Sequence, residues 1–230
     1  MEGFGFQVKV KRTNRKKSAS ITLVGEIVKI TVPKFMSDYT VRELIKKRTS
    51  WINIKLKEQS LKPPIIKKNY ISGELFPYLG KNFKLKVING ERASIKLVGG
   101  YLVVKLQKNE INIKNSAKFL LQSWYKKHAE DQLIKKTNHF SKIVGVTPKS
   151  ISIKNYKSRW GSCSIDGELS YNWRIILAPH HIVDYVVVHE LCHLLEHNHS
   201  PRYWQHVENY FPEWKNSRNW LRKNYYIGSL

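Results

Sequence analysis

Apolar and polar side chains alternate along the start of the chain with a period of two residues. The alternation runs through residues 6–12 and returns in residues 20–24 and 27–32. Such alternation is typical of strands that have one buried face and one exposed face. Because Gly25-Glu26 separates the last two segments, the pattern predicts a β-hairpin at this place.

The period then changes to that of a helix. From Ser37 onward the apolar residues recur at helical spacing, which predicts a helix that extends to about Glu58. Pro63-Pro64 follows this segment. Two consecutive prolines predict a break, because neither can continue a helix or donate a ladder hydrogen bond.

A second group of alternating segments occupies residues 69–113. Turn residues occur within it at Asn89-Gly90 and at Gly99-Gly100, so this region predicts a further set of strands. The expected strands are residues 83–87, 94–98, 101–105 and 111–113.

A long amphipathic helix is expected next, from Ser116 to about Val144. Beyond it the pattern predicts a strand at residues 151–155, a loop at 161–167 and another strand at 169–173. The alternation has ended by this point, and helical spacing takes over in the remainder of the chain.

Three helices are expected in the last part of the chain, where Pro and Ser mark their starts. They run from Ala178-Pro179 to about Glu196, from Ser200-Pro201 to Tyr210, and from Glu213 to Asn224. Strands come first and helices follow, an order that predicts an α+β fold. We divide the chain into a β-rich basic N-terminal region, residues 1–115, and a catalytic domain, residues 116–230.

One short segment of the first of these helices carries chemistry that binds metals. His189-Glu190-Leu191-Cys192-His193 is an H-E-x-x-H sequence. Residues four apart share one face of a helix, so the two imidazoles can reach the same ion. The carboxylate between them can act on a water molecule without being a ligand itself.

The third metal ligand must come from beyond the helix. His197 on a continued helix would lie about 12 Å from His189, which is too far for one ion. We expect the helix to end near Asn198 and His199 to fold back towards the first two ligands. The alternatives on the following helix are His206 and Glu208.

This set of residues predicts a zinc-dependent hydrolase. Zinc in such enzymes has three protein ligands and an open position, where it lowers the pKa of a water molecule from about 15.7 to about 7. Glu190 is expected to serve as the general base that takes the proton and returns it to the leaving group. Zn²⁺ is the expected cofactor, although nickel, cobalt and iron also accept imidazole ligands.

Composition adds a strong positive charge. The formal net charge is +24, which favours affinity for polyanions such as nucleic acid, but the excess of Lys is equally typical of a generally solvated basic surface. The two cysteines, Cys163 and Cys192, cannot form a disulfide framework. The start of the chain has no signal-peptide pattern and no apolar run approaches about 18 residues, so we expect a cytoplasmic protein with no membrane partner.

Several segments together resemble the YgjP-like metal-dependent hydrolases, which are similar in their metal region to SprT-like and WLM zinc peptidases. The resemblance is strong over residues 151–223 and looser over residues 6–150. The segments that carry it are Ser158–Ser164, Tyr171–Arg174, Val186–Leu194 and Asn198–Trp204.

The resemblance implies a zincin-type catalytic region in which a small sheet packs over the active-site helix. It carries His189 and His193 over as metal ligands, His199 as the third ligand and Glu190 as the base. The spacing of His193 and His199 is similar to that in WLM peptidases.

Three further residues are candidates for contacts with the substrate or the transition state. Arg159, or the backbone N–H groups of its loop, could stabilise an oxyanion. The strand at residues 169–173, with Asn172 and Trp173 at its end, could pair with an extended substrate. These residues are equally typical of a packed turn.

The leading hypothesis is a zinc metallopeptidase that acts on a peptide or protein substrate. One alternative is a zinc-dependent hydrolase of nucleotides, whose substrate the positive charge would attract. Another is a nucleic-acid-associated module whose metal site acts on bound proteins.

Overall fold

The alternating segments near the start of the chain form a three-stranded sheet. The computed structural model describes residues 3–60 and 68–224. The first strands are β1 (Gln7–Thr13), β2 (Ser20–Val24) and β3 (Ile27–Pro33). β2 and β3 form the predicted antiparallel hairpin, whereas β1 pairs with the other edge of β3 and runs parallel to it.

A single helix, α1 (Asp38–Ser60), shares its core with this sheet. The helix begins where the Ser37 hydroxyl accepts a hydrogen bond from the backbone N–H of Thr40. The sheet and the helix belong to a compact unit, Met1–Ile65. The expected break at Pro63-Pro64 lies outside the described residues. The buried cluster comprises Val28, Ile30, Val32, Val41, Ile45 and Ile52.

A second compact unit, Ile66–Leu230, begins with a four-stranded sheet. Its strands lie in the order β4-β5-β7-β6, with β5 and β7 parallel and β6 and β7 in an antiparallel hairpin. Both Gly99 and Gly100 have positive φ, as the tight turn of that hairpin requires. The strands are β4 (Leu75–Tyr78), β5 (Lys81–Gly90), β6 (Ser94–Val98) and β7 (Tyr101–Gln107).

Two predictions for this region are wrong. Asn89 and Gly90 form no turn, because β5 continues through both while it pairs with β7. Ile111–Ile113 is not a strand. The Asn112 side chain accepts a hydrogen bond from the N–H of Asn115 and caps helix α2 (Ile113–Val144), so the local cap outweighs the short apolar alternation.

Another three-stranded sheet follows α2, and one of its strands packs against the helix that carries the H-E-x-x-H residues. Its strands are β8 (Ser150–Lys154), β9 (Gly161–Cys163) and β10 (Glu168–Asn172), in the order β8-β10-β9. The expected loop at residues 161–167 is wrong at its start, because β9 pairs antiparallel with β10 there. A 3-10 helix, Trp173–Leu177, which the sequence pattern did not predict, leads into the helical part.

Three helices complete the described chain: α3 (His180–Cys192), α4 (Pro201–Tyr210) and α5 (Trp214–Lys223). The bounds of α4 and α5 agree closely with the expected ones, whereas α3 ends at Cys192 rather than near Glu196. The mixture of separate sheets and helices confirms the α+β class. No helix within residues 3–60 and 68–224 combines the length and apolar composition of a membrane span.

The compact units divide the chain between Ile65 and Ile66. Strands β4–β7 share a buried core with α2 and α3, because Phe76 and Leu102 belong to the same cluster as Leu121 and Val187. The boundary that we expect at residue 115 separates the basic N-terminal region from the part that carries the catalytic residues. This boundary stays a prediction.

Candidate metal centre

Helix α3 is apolar on nearly every side because it runs through the core of the second unit. Pro179 precedes it, and Ile182, Val183 and Val187 are fully buried. A helix buried in this way has little freedom to shift, since its contacts surround it. The polar residues at its C-terminal end therefore occupy fixed positions.

Three histidines meet at the end of this helix. His189 lies in the last turn of α3, His193 caps the helix, and His199 lies in the following loop just before α4. One ring nitrogen from each lies within 4.8 Å of the others. The Nε2 atoms of His189 and His199 are 3.3 Å apart. The structure thus brings together the three residues that the sequence indicated as ligands.

The start of α4 determines where His199 lies. The Ser200 side chain accepts a hydrogen bond from the N–H of Tyr203, and Pro201 occupies the first helical turn. One turn into the helix, the Trp204 ring stacks on the His199 ring at 5.4 Å between centroids and 21° between planes. An exposed imidazole is thereby held by packing.

Tyr203 supports the other two histidines. Its hydroxyl donates a hydrogen bond to the backbone carbonyl of His189 at 2.9 Å, and its ring stacks on His193 at 4.5 Å. His193 Nδ1 lies 3.3 Å from the carbonyl of Glu196, where it can donate. That bond leaves Nε2 of His193 without a proton and free to bind a cation.

The chemistry of this donor set fits a divalent metal ion. A tetrahedral zinc ion with Zn–N bonds of about 2.0–2.1 Å separates its nitrogen ligands by about 3.3–3.4 Å. The distance between the Nε2 atoms of His189 and His199 matches this edge. Two such atoms at this distance can share at most one proton, whereas a cation accepts both lone pairs. The donor type therefore fits zinc, and the spacing of His189 and His199 matches one edge of its coordination tetrahedron.

Burial also favours the neutral imidazoles that bind metals. It lowers the pKa of His189 to about 3, with further lowering by His193 and His199. The pKa values of His193 and His199 are lowered as well, again mainly by burial. Nδ1 of His189 is buried and has no hydrogen-bond partner in the described chain, so packing against Tyr185 and Tyr203 orients this ring.

Glu190 is buried beside the three histidines and in close contact with strand β9. The residue is 5% exposed. Strand β9 passes so close that a methyl group on Gly161 would lie 2.5 Å from Oε1 of Glu190. Burial raises the pKa of Glu190 to about 8, while the positive charge of Arg159 acts in the opposite direction.

A cleft of about 370 Å³ opens beside His189 and Glu190. Its walls come from β9 and the residues before it, from α3, and from α5. The lining residues are Arg159, Trp160, Gly161, Tyr185, Val186, His189, Glu190, Arg218, Leu221 and Arg222. An open cleft next to the histidines and the carboxylate offers room for part of a substrate.

The other three candidate residues lie in different environments. Arg159 lines the cleft and is exposed. Asn172 is buried, and its amide donates hydrogen bonds to the carbonyls of Tyr156 and Arg159. Trp173 is also buried. Asn172 therefore supports the loop that carries Arg159, and neither Asn172 nor Trp173 lines the cleft.

The strand proposed to pair with a substrate is not available for pairing. β10 is the central strand of its sheet, and both of its edges are occupied, by β8 and by β9. The expectation that residues 169–173 add a substrate strand is therefore wrong. The sequence pattern identified the strand correctly, but strand order is a tertiary property.

The alternative ligands lie elsewhere. Among the described residues, the cluster of candidate metal ligands contains His189, His193 and His199 and not His206 or Glu208. Glu208 instead forms an ion pair with Lys215 at 3.5 Å.

Sequence reasoning missed four residues of this site. Tyr185 lies one helical turn before His189 on the same face of α3, a spacing that could have indicated it. Arg218 and Arg222 have the same four-residue spacing on α5. Trp204 lies one turn inside α4, but nothing in the sequence indicates that it stacks on His199.

Comparisons with known proteins bear on this site. The family model described as "YgjP-like, metallopeptidase domain" matches residues 17–224. Among solved structures, the chain is similar to the metallopeptidase zymogen of Pyrococcus abyssi abylysin, with 23% sequence identity and a TM-score of 0.37. That match covers 40% of this chain and 94% of the other. No curated protein sequence matches the chain significantly.

Proposed function

This chain belongs to the YgjP-like metallopeptidase family, and from that membership we propose that it hydrolyses peptide bonds with zinc held by His189, His193 and His199 and with Glu190 as the general base. Family membership makes it a metal-dependent peptidase. The observation that carries the finer assignment is the convergence of three imidazole nitrogens within 4.8 Å, with a carboxylate beside them.

Each part of the site has a defined task in this proposal. When bound, zinc supplies Lewis-acid activation of a water molecule and of the substrate carbonyl. An oxygen of the Glu190 carboxylate accepts the proton of the attacking water and then delivers it to the departing amine nitrogen, so that one water is consumed for each peptide bond broken. The positive charge of Arg159 favours the ionised form of Glu190, which is the form that accepts a proton. A divalent ion held by the three histidines would act in the same direction.

Two groups at the cleft can donate hydrogen bonds to a carbonyl oxygen that gains negative charge. The guanidinium group of Arg159 carries several N–H donors. Burial raises the pKa of Tyr185 to about 12, so its hydroxyl keeps its proton at neutral pH. Both residues line the cleft next to Glu190, and the proposal assigns them to stabilisation of this charge.

The first experiment separates metal binding from catalysis. We expect the purified protein to contain about one zinc ion per chain, as the site chemistry requires. Glu190→Gln should keep the metal and reduce peptide hydrolysis by at least about 100-fold, because the amide cannot accept a proton. Metal content by elemental analysis and turnover of peptide, protein and nucleotide substrates are the measurements.

The third ligand has a matched control two residues away. His199→Ala should lose the metal, whereas His197→Ala should keep it, since His197 lies on the surface outside the cluster. Equal metal content in the two variants would contradict the assignment of His199. Turnover of nucleotides with no hydrolysis of any peptide or protein would contradict the peptidase assignment.

A further inference from the structure

The cleft beside the metal centre is strongly cationic. Three of its lining residues are arginines, Arg159, Arg218 and Arg222, and all three are at least partly exposed. Glu190 is the one acidic residue among the described residues of the lining, and its carboxylate is buried against Gly161. The rim of the cleft therefore presents positive charge that the lining itself leaves uncompensated.

These arginines come from two distant segments of the chain but line the same cleft. Arg159 precedes β9, with its guanidinium 5.2 Å from the Tyr156 ring centroid. Arg218 on α5 lies over the Trp204 ring at 4.7 Å, and Arg222 lies one turn further along α5. Aromatic packing thus positions two of the three guanidinium groups.

Within the part of the chain that the structure describes, the arginines at the cleft have no acidic partner. None of the ion pairs formed within residues 3–60 and 68–224 includes any of the three. Guanidinium groups held by packing and not paired with a carboxylate of the described chain are available to an anionic group that enters the cleft.

The overall excess of basic residues does not explain why the cleft is lined by arginine and not by lysine. Arginine makes up only 10 of the 41 basic residues of the chain, and the rest are lysines. All three Lys or Arg residues in the cleft lining are nevertheless arginines. Arginine presents a planar fork of donors that matches a carboxylate in two parallel hydrogen bonds, which lysine cannot do.

We propose that this cleft selects peptides that carry a carboxylate next to the scissile bond, and that Arg218 and Arg222 bind this carboxylate while Arg159 adds to the positive charge of the cleft. The carboxylate is either the side chain of Asp or Glu or the free C-terminus of the substrate. The proposal rests on the peptidase function proposed above, because it concerns the substrate of the same site.

Binding can be measured without turnover in the Glu190→Gln protein loaded with zinc. The probes are fluorescent peptides of one sequence that contain either Glu or Gln next to the expected scissile bond, each with a free and with an amidated C-terminus. We expect the carboxylate form to bind about 10- to 100-fold more tightly than its amide counterpart, the range expected for charge-assisted hydrogen bonds. The four peptides distinguish a side-chain carboxylate from a terminal one.

Substitutions on α5 test which residues produce the preference for a carboxylate. Arg222→Gln should abolish most of the preference for the carboxylate peptide and leave binding of the amide peptide unchanged. Lys223→Gln is the control, because it removes the same charge from the next position of the helix without altering the cleft lining. Arg218→Gln should act like Arg222→Gln, and Arg222 remains the informative position if loss of the contact with Trp204 disturbs the fold.

The outcomes separate this proposal from the one on which it rests. If wild-type protein cleaves all four peptides at equal rates, or if Lys223→Gln reduces the preference as much as Arg222→Gln, the selectivity proposal is wrong and the peptidase stands. If no peptide is bound or cleaved while a nucleoside triphosphate is hydrolysed, both proposals are wrong. Cleavage of these peptides by wild-type protein, with a carboxylate preference that Arg222→Gln removes, supports both.

Discussion

Gly161 determines how closely β9 can approach the proposed base. Because a methyl group at this position would lie 2.5 Å from Oε1 of Glu190, one of the two must move when a side chain is added. The Trp-Gly-Ser sequence alone is equally typical of a tight turn, so only the packing of β9 against α3 explains why glycine is required here.

Replacing this glycine should displace the Glu190 carboxylate. We expect Gly161→Ala to lower kcat about 10- to 100-fold, the cost of misplacing a catalytic group by about 1 Å, while the metal content stays unchanged. Gly90→Ala is the matched control, since Gly90 lies in β5 and has no positive φ. An unchanged kcat for Gly161→Ala would show that Glu190 tolerates the shift.

Cys163 provides a test of the electrostatics of β9. Burial, and to a smaller extent the negative charge of Glu190, raises the pKa of the Cys163 thiol to about 11. A raised pKa means that the thiolate is the minor form at every pH below about 11, so that about one thiol in 3,000 is ionised at pH 7.5. This argues against a nucleophilic role for Cys163.

Alkylation should report this pKa directly. We expect labelling of Cys163 in native protein by iodoacetamide to be very slow at pH 7.5 and to accelerate about tenfold per pH unit as the pH rises. Mass spectrometry of the labelled peptide is the measurement, and protein unfolded in urea is the control that should label rapidly. Rapid labelling of native Cys163 at pH 7.5 would contradict the raised pKa.

Among the elements, the end of α3 and the start of α4 form the site together. α3 ends at Cys192 with His193 as its cap, the chain turns, and Ser200 caps the next helix. His199 lies between these two boundaries. Cap residues could be identified from the sequence because they act through local hydrogen bonds. The end of α3, which comes earlier than the sequence pattern predicts, could not be identified from the sequence, because the turn that follows depends on tertiary packing.

The cap of α4 should affect metal binding as well as stability. Ser200→Ala removes the hydrogen bond to the N–H of Tyr203 and should destabilise the protein by about 1 kcal/mol. Since Ser200 adjoins His199, we also expect zinc affinity to fall several-fold in a chelator competition assay. Asn112→Ala removes the comparable cap of α2 and should lower the melting temperature similarly without weakening zinc binding. Equal zinc affinity for both variants would show that the cap does not position His199.

For the molecule as a whole, the net charge of +24 is the dominant property. It is a sum over residues, so it follows from the sequence without knowledge of the fold. Affinity for nucleic acid stays a prediction, because charge alone does not distinguish a binding surface from a generally solvated one.

Binding to DNA has a simple electrostatic test. If the basic surface binds phosphates, the logarithm of the association constant should fall linearly with the logarithm of salt concentration, with a slope of about −0.9 per phosphate contacted. Fluorescence anisotropy with duplex DNA between about 50 and 200 mM salt, concentrations at which this loss is large, is the measurement. Glu190→Gln should bind equally, because the base is not part of this surface. No binding at the lowest salt concentration would contradict the prediction.

Features that depend on neighbours along the chain follow from the order of the amino acids: the hairpin at β2 and β3, the capped start of α4, and the spacing of His189 and His193. Packing between distant segments sets which strand of the small sheet is central, how closely Gly161 approaches Glu190, and which arginines face the cleft. The two groups of features differ in how far apart along the chain the interacting residues lie. Periodicity and caps act over a few residues, whereas strand order and close approach depend on contacts between segments far apart in the chain.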